Sequence, residues 1–116
     1  MSDSVTTVDE LKKLVESFVS ERDWEKFHSP KNLAMSISIE ASELMEIFQW
    51  LDLDEAKDII KSDTKERAEV LDEISDVVIY AIAFCNRNKI DLSEAIKEKM
   101  KKNIKKYPAE KFKGKL

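Results

Sequence analysis

The stretch NLAMSISIEASELMEIFQWL, Asn32 to Leu51, reads as one helix with acids set into its apolar side. At about 100° per residue, Leu33, Ile37, Leu44, Ile47, Phe48 and Leu51 fall on one arc, with Ser38, Ser42 and Gln49 opposite. Glu40 falls between Leu44 and Ile47, and Glu43 lies one helical step further round, beside Trp50. An isolated carboxylate in an apolar setting costs several kcal/mol or takes up a proton. The pair therefore needs compensation, and a bound cation is the simplest form of it. Glu40 and Glu43 are three residues apart, which stacks them on one face.

A second pair follows downstream. Ser62-Asp63-Thr64 supplies a helix cap, and Lys65 to Asn88 is polar at first and then abruptly apolar. From Val77 to Cys85 every residue is apolar, which predicts a segment enclosed by protein on nearly all sides. Glu73 and Asp76 stand just before it, three residues apart, on the face of Val77, Tyr80 and Phe84. Taken singly, an i,i+3 acid pair is ordinary surface decoration. Two pairs that each intrude on an apolar face can instead meet across antiparallel helices, so that four carboxylates converge. Hard oxygen donors without His or Cys favour Mg²⁺ or Mn²⁺, and such ions are the usual device for clamping phosphates. A di-iron bundle needs Glu-x-x-His motifs, and the single histidine, His28, is in none.

The rest of the chain is read around these two helices. Thr7 to Glu10 fits a capping box for a first helix, Val8 to Arg22, with Leu11, Leu14, Val15 and Phe18 at helical spacing. Asp23 to His28 is a loop holding two aromatics, and Ser29-Pro30 caps the helix that continues to about Leu51. Asp52 to Asp54 breaks it, and Glu55 to Lys61 is a short helix. Asp91 to Glu94 forms another capping box; Ala95, Ile96, Met100 and Ile104 define a last helix that Tyr107-Pro108 ends, and Ala109 to Leu116 is a loose basic tail. Glu46 is read as solvated, His28 as a loop residue and Cys85 as packing; Trp24, Phe27 and Trp50 are by default core or interface anchors.

With 116 residues, one Gly, two Pro and 38% charged residues, the chain is one all-α domain, residues 1–116, with a core of about 8–108. A single glycine leaves no phosphate-binding Gly-rich loop, and no hydrolase triad can be assembled. The net charge of -4 is unevenly spread: Lys97 to Leu116 carries nine Lys against Glu98 and Glu110, so the basic end is opposed by a strongly acidic body. A lone cysteine excludes an internal disulfide and fits a reducing compartment. With no secretory segment and no apolar run near ~18 residues, a soluble cytoplasmic protein without membrane or nucleic-acid partners is expected.

Four segments taken together carry a resemblance: RDWEKFHSPKNL, EASELMEIFQW, EISDVVIY and KMKKNIKKYP. The chain resembles the MazG-like all-α nucleoside triphosphate pyrophosphatase superfamily, and specifically its dCTP pyrophosphatase branch, over roughly Val8 to Pro108. The resemblance implies a four-helix-bundle-type subunit completed by oligomerisation, as a tetramer or dimer. It also implies Mg²⁺-dependent hydrolysis of a deoxynucleoside triphosphate, dCTP or a related pyrimidine, to monophosphate and pyrophosphate. Glu40, Glu43, Glu73 and Asp76 would be the metal ligands and catalytic acids, and Trp24 and Trp50 would line the base pocket. Tyr80 would lie near sugar and phosphate, and Lys99, Asn103, Lys106 and Tyr107 would hold the triphosphate, with Lys31 and Asn32 as further contacts. Where vertebrate members carry a pocket histidine in the first helix, nine residues before the Trp, this chain has Val15. That departure bears directly on base selectivity. The rivals are a dUTP or broader non-canonical triphosphate pyrophosphatase and, from another class, a non-catalytic metal-binding helical module.

Overall fold

A computed structural model describes residues 1–116 and contains six α-helices and no strand. They are α1 (Val8–Glu21), α2 (Pro30–Phe48), α3 (Leu53–Lys61), α4 (Lys65–Arg87), α5 (Leu92–Lys106) and α6 (Ala109–Phe112), with one 3₁₀ turn at Glu25–Phe27.

Side-chain oxygens start the helices. The Thr7 hydroxyl accepts from the Glu10 amide at 3.1 Å, Ser29 from Asn32 at 3.1 Å, and Asp91 from Glu94 at 2.9 Å, each satisfying an end amide that has no carbonyl within its own helix. Helix α2 stops at Phe48, short of the expected Leu51, because the chain restarts at Asp52. There the Asp52 carboxylate accepts from the Glu55 amide at 2.8 Å while the Glu55 carboxylate accepts from the Asp52 amide at 3.2 Å. This reciprocal box makes α3 two residues longer than predicted, beginning at Leu53. Thr64 then fastens the next corner, its hydroxyl accepting from the Arg67 amide and donating to the Ile59 carbonyl, both at 3.0 Å. The basic tail, expected to be loose, closes one helical turn in which Phe112 meets Tyr107 edge to face at 5.3 Å.

Helices α2 and α4 make the main packing contact, with α1 and α3 each laid against α4. Leu33 meets Ile82 and Ala83 at one end of the pair, and Glu40 meets Glu73 and Asp76 at the other, so α2 and α4 run antiparallel. Val15 and Val19 of α1 complete this small core, and Leu33, 1% exposed, is its one fully enclosed large side chain. Two long-range hydrogen bonds tie α1 to the far end of α4: Asn86 Nδ2 donates to the Lys12 carbonyl at 2.9 Å, and Lys12 Nζ donates to the Ile90 carbonyl at 2.8 Å.

The apolar run of α4 is not enclosed as predicted. Ile82, Ala83 and Cys85 are buried, but Val78 and Ile79 remain 46% and 42% exposed, because α1, α2 and α3 leave one side of α4 uncovered. The same openness marks the whole chain. A compact chain of 13.4 kDa exposes about 6500 Å² and has a radius of gyration of about 13 Å, whereas this one exposes 9424 Å² and reaches 17.1 Å. Only six residues are buried, so one chain does not enclose a full core. No helix is long and apolar enough to cross a membrane.

Candidate active site

The antiparallel pairing of α2 and α4 brings acids from distant parts of the sequence together. Carboxylate oxygens of Glu40, Glu73 and Asp76 lie within 4.8 Å of one another. The Glu43 carboxyl lies near those of Glu40 and Glu73, but it stands on the exposed edge of the group. Glu40 Oε2 and Glu73 Oε2 are shielded from solvent and have no hydrogen-bond partner. No lysine or arginine forms an ion pair with any of the four acids; the five ion pairs of the chain lie elsewhere.

The electrostatic result is a group that resists full ionisation. Loss of hydration, followed by the adjoining carboxyls of Glu43 and Glu73 and the charges of Glu43 and Asp76, pushes the Glu40 carboxyl up to about 7. Loss of hydration, with the Glu43 carboxyl beside it, raises the Glu73 carboxyl as well. Orphaned, shielded oxygens at this separation, all hard donors and none from His or Cys, fit a divalent cation of the Mg²⁺ or Mn²⁺ type. Glu40, Glu73 and Asp76 would hold it, with Glu43 at the rim.

A groove of about 1040 Å³ between α1 and α4 borders this cluster, and Asp76 belongs to both. Its floor is apolar, with Val15, Val19, Ile79 and Ile82, and Trp24, His28, Ser75 and Tyr80 also line it. Trp24 reaches the groove through a sharp reversal after α1. Asp23 adopts φ 54°, a left-handed conformation that Asp tolerates better than most residues. The Trp24 amide then donates to the Val19 carbonyl at 3.1 Å, and its ring meets Phe18 edge to face at 5.6 Å. At 43% exposure, Trp24 leaves ring surface for a planar ligand.

The other residues singled out in the sequence lie apart. Trp50, at the end of α2, is 87% exposed and does not line the groove. Lys99, Asn103, Lys106 and Tyr107 all belong to α5 or its cap, and none lines the groove. Asn103 Nδ2 is 3.8 Å from Met100 Sδ, and Lys106 Nζ is 5.3 Å from the Tyr107 ring centre. Lys31 is exposed, and Asn32 Nδ2 donates to the Phe27 carbonyl at 3.1 Å, steadying the turn that follows Trp24. His28, assigned from the sequence to a loop, and Ser75, not singled out there, both line the groove. The signal for His28 was its position four residues after Trp24, across a short turn that puts both side chains on the same opening.

Comparison with known proteins gives a consistent picture. The sequence model of the MazG-like family matches residues 35–115, which takes in both acid pairs and all of α5. The chain is 38% identical over 117 residues to dCTP pyrophosphatase 1 of Mus musculus, covering 93% of this chain and 63% of that protein. With dCTP pyrophosphatase 1 of Homo sapiens it shares 41% identity over 103 residues, covering 89% and 60%. The chain thus spans under two thirds of the length of these curated relatives. A crystal structure of a pyrophosphatase from Archaeoglobus fulgidus superposes with a TM-score of 0.81 at 42% identity, covering 93% of this chain and 98% of that one. By the extent of the family match and by these relatives, the chain belongs to the MazG-like family.

Proposed function

We propose that the protein hydrolyses a deoxynucleoside triphosphate, dCTP or a related pyrimidine, to the monophosphate and pyrophosphate in a divalent-cation-dependent reaction, and so controls a nucleotide pool. The observation that carries this is the convergence of Glu40, Glu73 and Asp76, with orphaned carboxylate oxygens, at the border of an aromatic-walled groove. The names of the curated relatives and of the Archaeoglobus protein support the same chemistry. Mg²⁺, or Mn²⁺, bound by these acids would offset their charge and draw electron density from the phosphate oxygens.

The chain's own residues account for the remaining requirements. Trp24 and Tyr80 offer rings to the base and sugar, and Asp76, shared by groove and cluster, sets where the base ends and the phosphates begin. Water adds to the α-phosphorus as the bond to the bridging oxygen breaks and pyrophosphate leaves, and one of the cluster carboxylates takes the proton of the water. Val15 is buried in the groove wall and can donate no hydrogen bond, so base choice falls to His28, Ser75 and the open edge of the site. The assembly is a homo-oligomer, tetramer or dimer, which suits a chain exposing 9424 Å². A lone, buried Cys85 suits a cytoplasmic location.

A panel of deoxynucleoside triphosphates with pyrophosphate detection tests this. Fastest turnover is expected for dCTP or a modified cytosine nucleotide; equal turnover of all would remove the cytosine assignment, and no turnover of any would remove the function. Asp76→Asn should lower kcat by about 10²-fold or more with an unchanged helix signal, and parental turnover would refute the site.

A further inference from the structure

Trp24 is held by two separate devices, one for its backbone and one for its ring. Helix α1 ends in a paired closure about the left-handed Asp23 (φ 54°): the Asp23 amide donates to the Ser20 carbonyl and the Trp24 amide to the Val19 carbonyl, both at 3.1 Å. These bonds fix where the Trp24 backbone lies. They leave its side-chain torsions free, and the residue is 43% exposed. What faces the ring is Phe18, edge to face at 5.6 Å between centroids. Phe18 is itself 48% exposed, so it can steady a neighbour only if something steadies it.

Arg22 supplies that support. Its guanidinium carbon sits 3.8 Å from the centre of the Phe18 ring, and its Nη1 donates to the Phe18 carbonyl at 3.0 Å. A planar cation thus covers the ring while pinned to the backbone of the same residue, a union of stacking and directed donation that Arg provides and Lys does not. Glu21 is 3.8 Å away, and an ion pair between groups this exposed contributes little, so the Phe18 contacts decide where the guanidinium sits. Phe18 and Trp24 line the groove, and Arg22 does not. We infer that Arg22 is a positioning residue for base recognition: it locks Phe18, Phe18 sets the plane of Trp24, and the groove meets a nucleotide with its stacking ring already oriented. This rests on the hydrolase function proposed above and adds how base affinity is built. A ring immobilised only on binding forfeits part of its stacking energy as lost rotamer freedom, and orientation in advance removes that loss. The phosphates gain nothing from it, because the acids proposed to hold their metal stand on α2 and α4.

Arg22→Met keeps the length of the side chain and removes its charge and donors, whereas Arg22→Lys keeps the cation. Arg22→Met should raise KM for dCTP about fivefold with kcat within about twofold of the parent. Competitive inhibition by inorganic tripolyphosphate, which has no base, should stay at parental strength, and Arg22→Lys should fall between the two in KM. A loss shared equally by dCTP and tripolyphosphate, or one confined to kcat, would show that Arg22 only supports the fold and overturn the inference. A parental KM in Arg22→Met would overturn it too, while leaving the hydrolase function standing. Should the parent hydrolyse no triphosphate, time-resolved fluorescence anisotropy of Trp24 decides, read in a Trp50→Phe background that removes the second tryptophan. Faster subnanosecond depolarisation in Arg22→Met supports the lock, and an unchanged decay refutes it. If Arg22→Met does not fold by circular dichroism, the same readings on Arg22→Lys carry the test, with the same outcomes for and against.

Discussion

At the residue scale the molecule turns on Glu40, a carboxyl that the fold holds half-buried among other acids and pushes up to about 7. Between the ordinary 4.5 and about 7 the folded chain keeps a proton there that the unfolded chain has released. The contribution of this group to metal-free stability is therefore most favourable below about pH 4.5 and declines as the pH rises to about 7. In the presence of chelator, Glu40→Gln should melt above the parent at pH 8, with the difference shrinking toward pH 5; differential scanning calorimetry at the two pH values checks this. Millimolar Mg²⁺ should raise the melting temperature of the parent and leave the variant nearly unmoved. Since a ligating carboxylate must lose its proton, Mg²⁺ affinity should increase with pH and level off above about 7, with proton release measurable by titration calorimetry in buffers of different ionisation enthalpy. Both acid pairs were legible in the sequence because i,i+3 spacing and an apolar surround are local properties. That Glu43 would stand at the exposed edge was not, since its exposure depends on which side of α2 the other helices cover.

At the scale of elements, the helices follow from their ends. Thr7, Ser29, Thr64 and Asp91 could each be read as a cap and do cap, whereas Asp52 was read as a breaker when it nucleates α3 through its exchange with Glu55. Asp52→Ala should cost about 1 kcal/mol and show first as faster amide exchange in α3, with α2 and α4 unchanged. Leu33→Ala strikes the one point where α1, α2 and α4 share a fully enclosed side chain, and should cost about 2–5 kcal/mol in urea denaturation. The groove positions of His28, read only as a loop residue, and of Ser75 were not legible for a reason of the same kind: helical periodicity marks a residue as apolar or not, but a polar side chain acquires a role only when a second element faces it.

At the scale of the whole molecule, a sequence pattern shows that a face is apolar without showing which chain covers it. The run Val77 to Cys85 reads as interior, yet within one chain Val78 and Ile79 stay open to solvent, as do Ile96, Met100 and Ile104 on α5. Ile79→Glu places a charge on the open side of α4, and light scattering should then report a smaller particle than the parent at equal concentration, with loss of turnover accompanying loss of mass. The small core around Leu33 carries one more consequence. In the proposed oligomer, a chain that encloses so little by itself would gain most of its stability from company, so a newly made copy would be short-lived and idle until it meets another. Working sites would then accumulate more steeply than the protein itself, and the proposed hydrolase would stay silent at trace abundance.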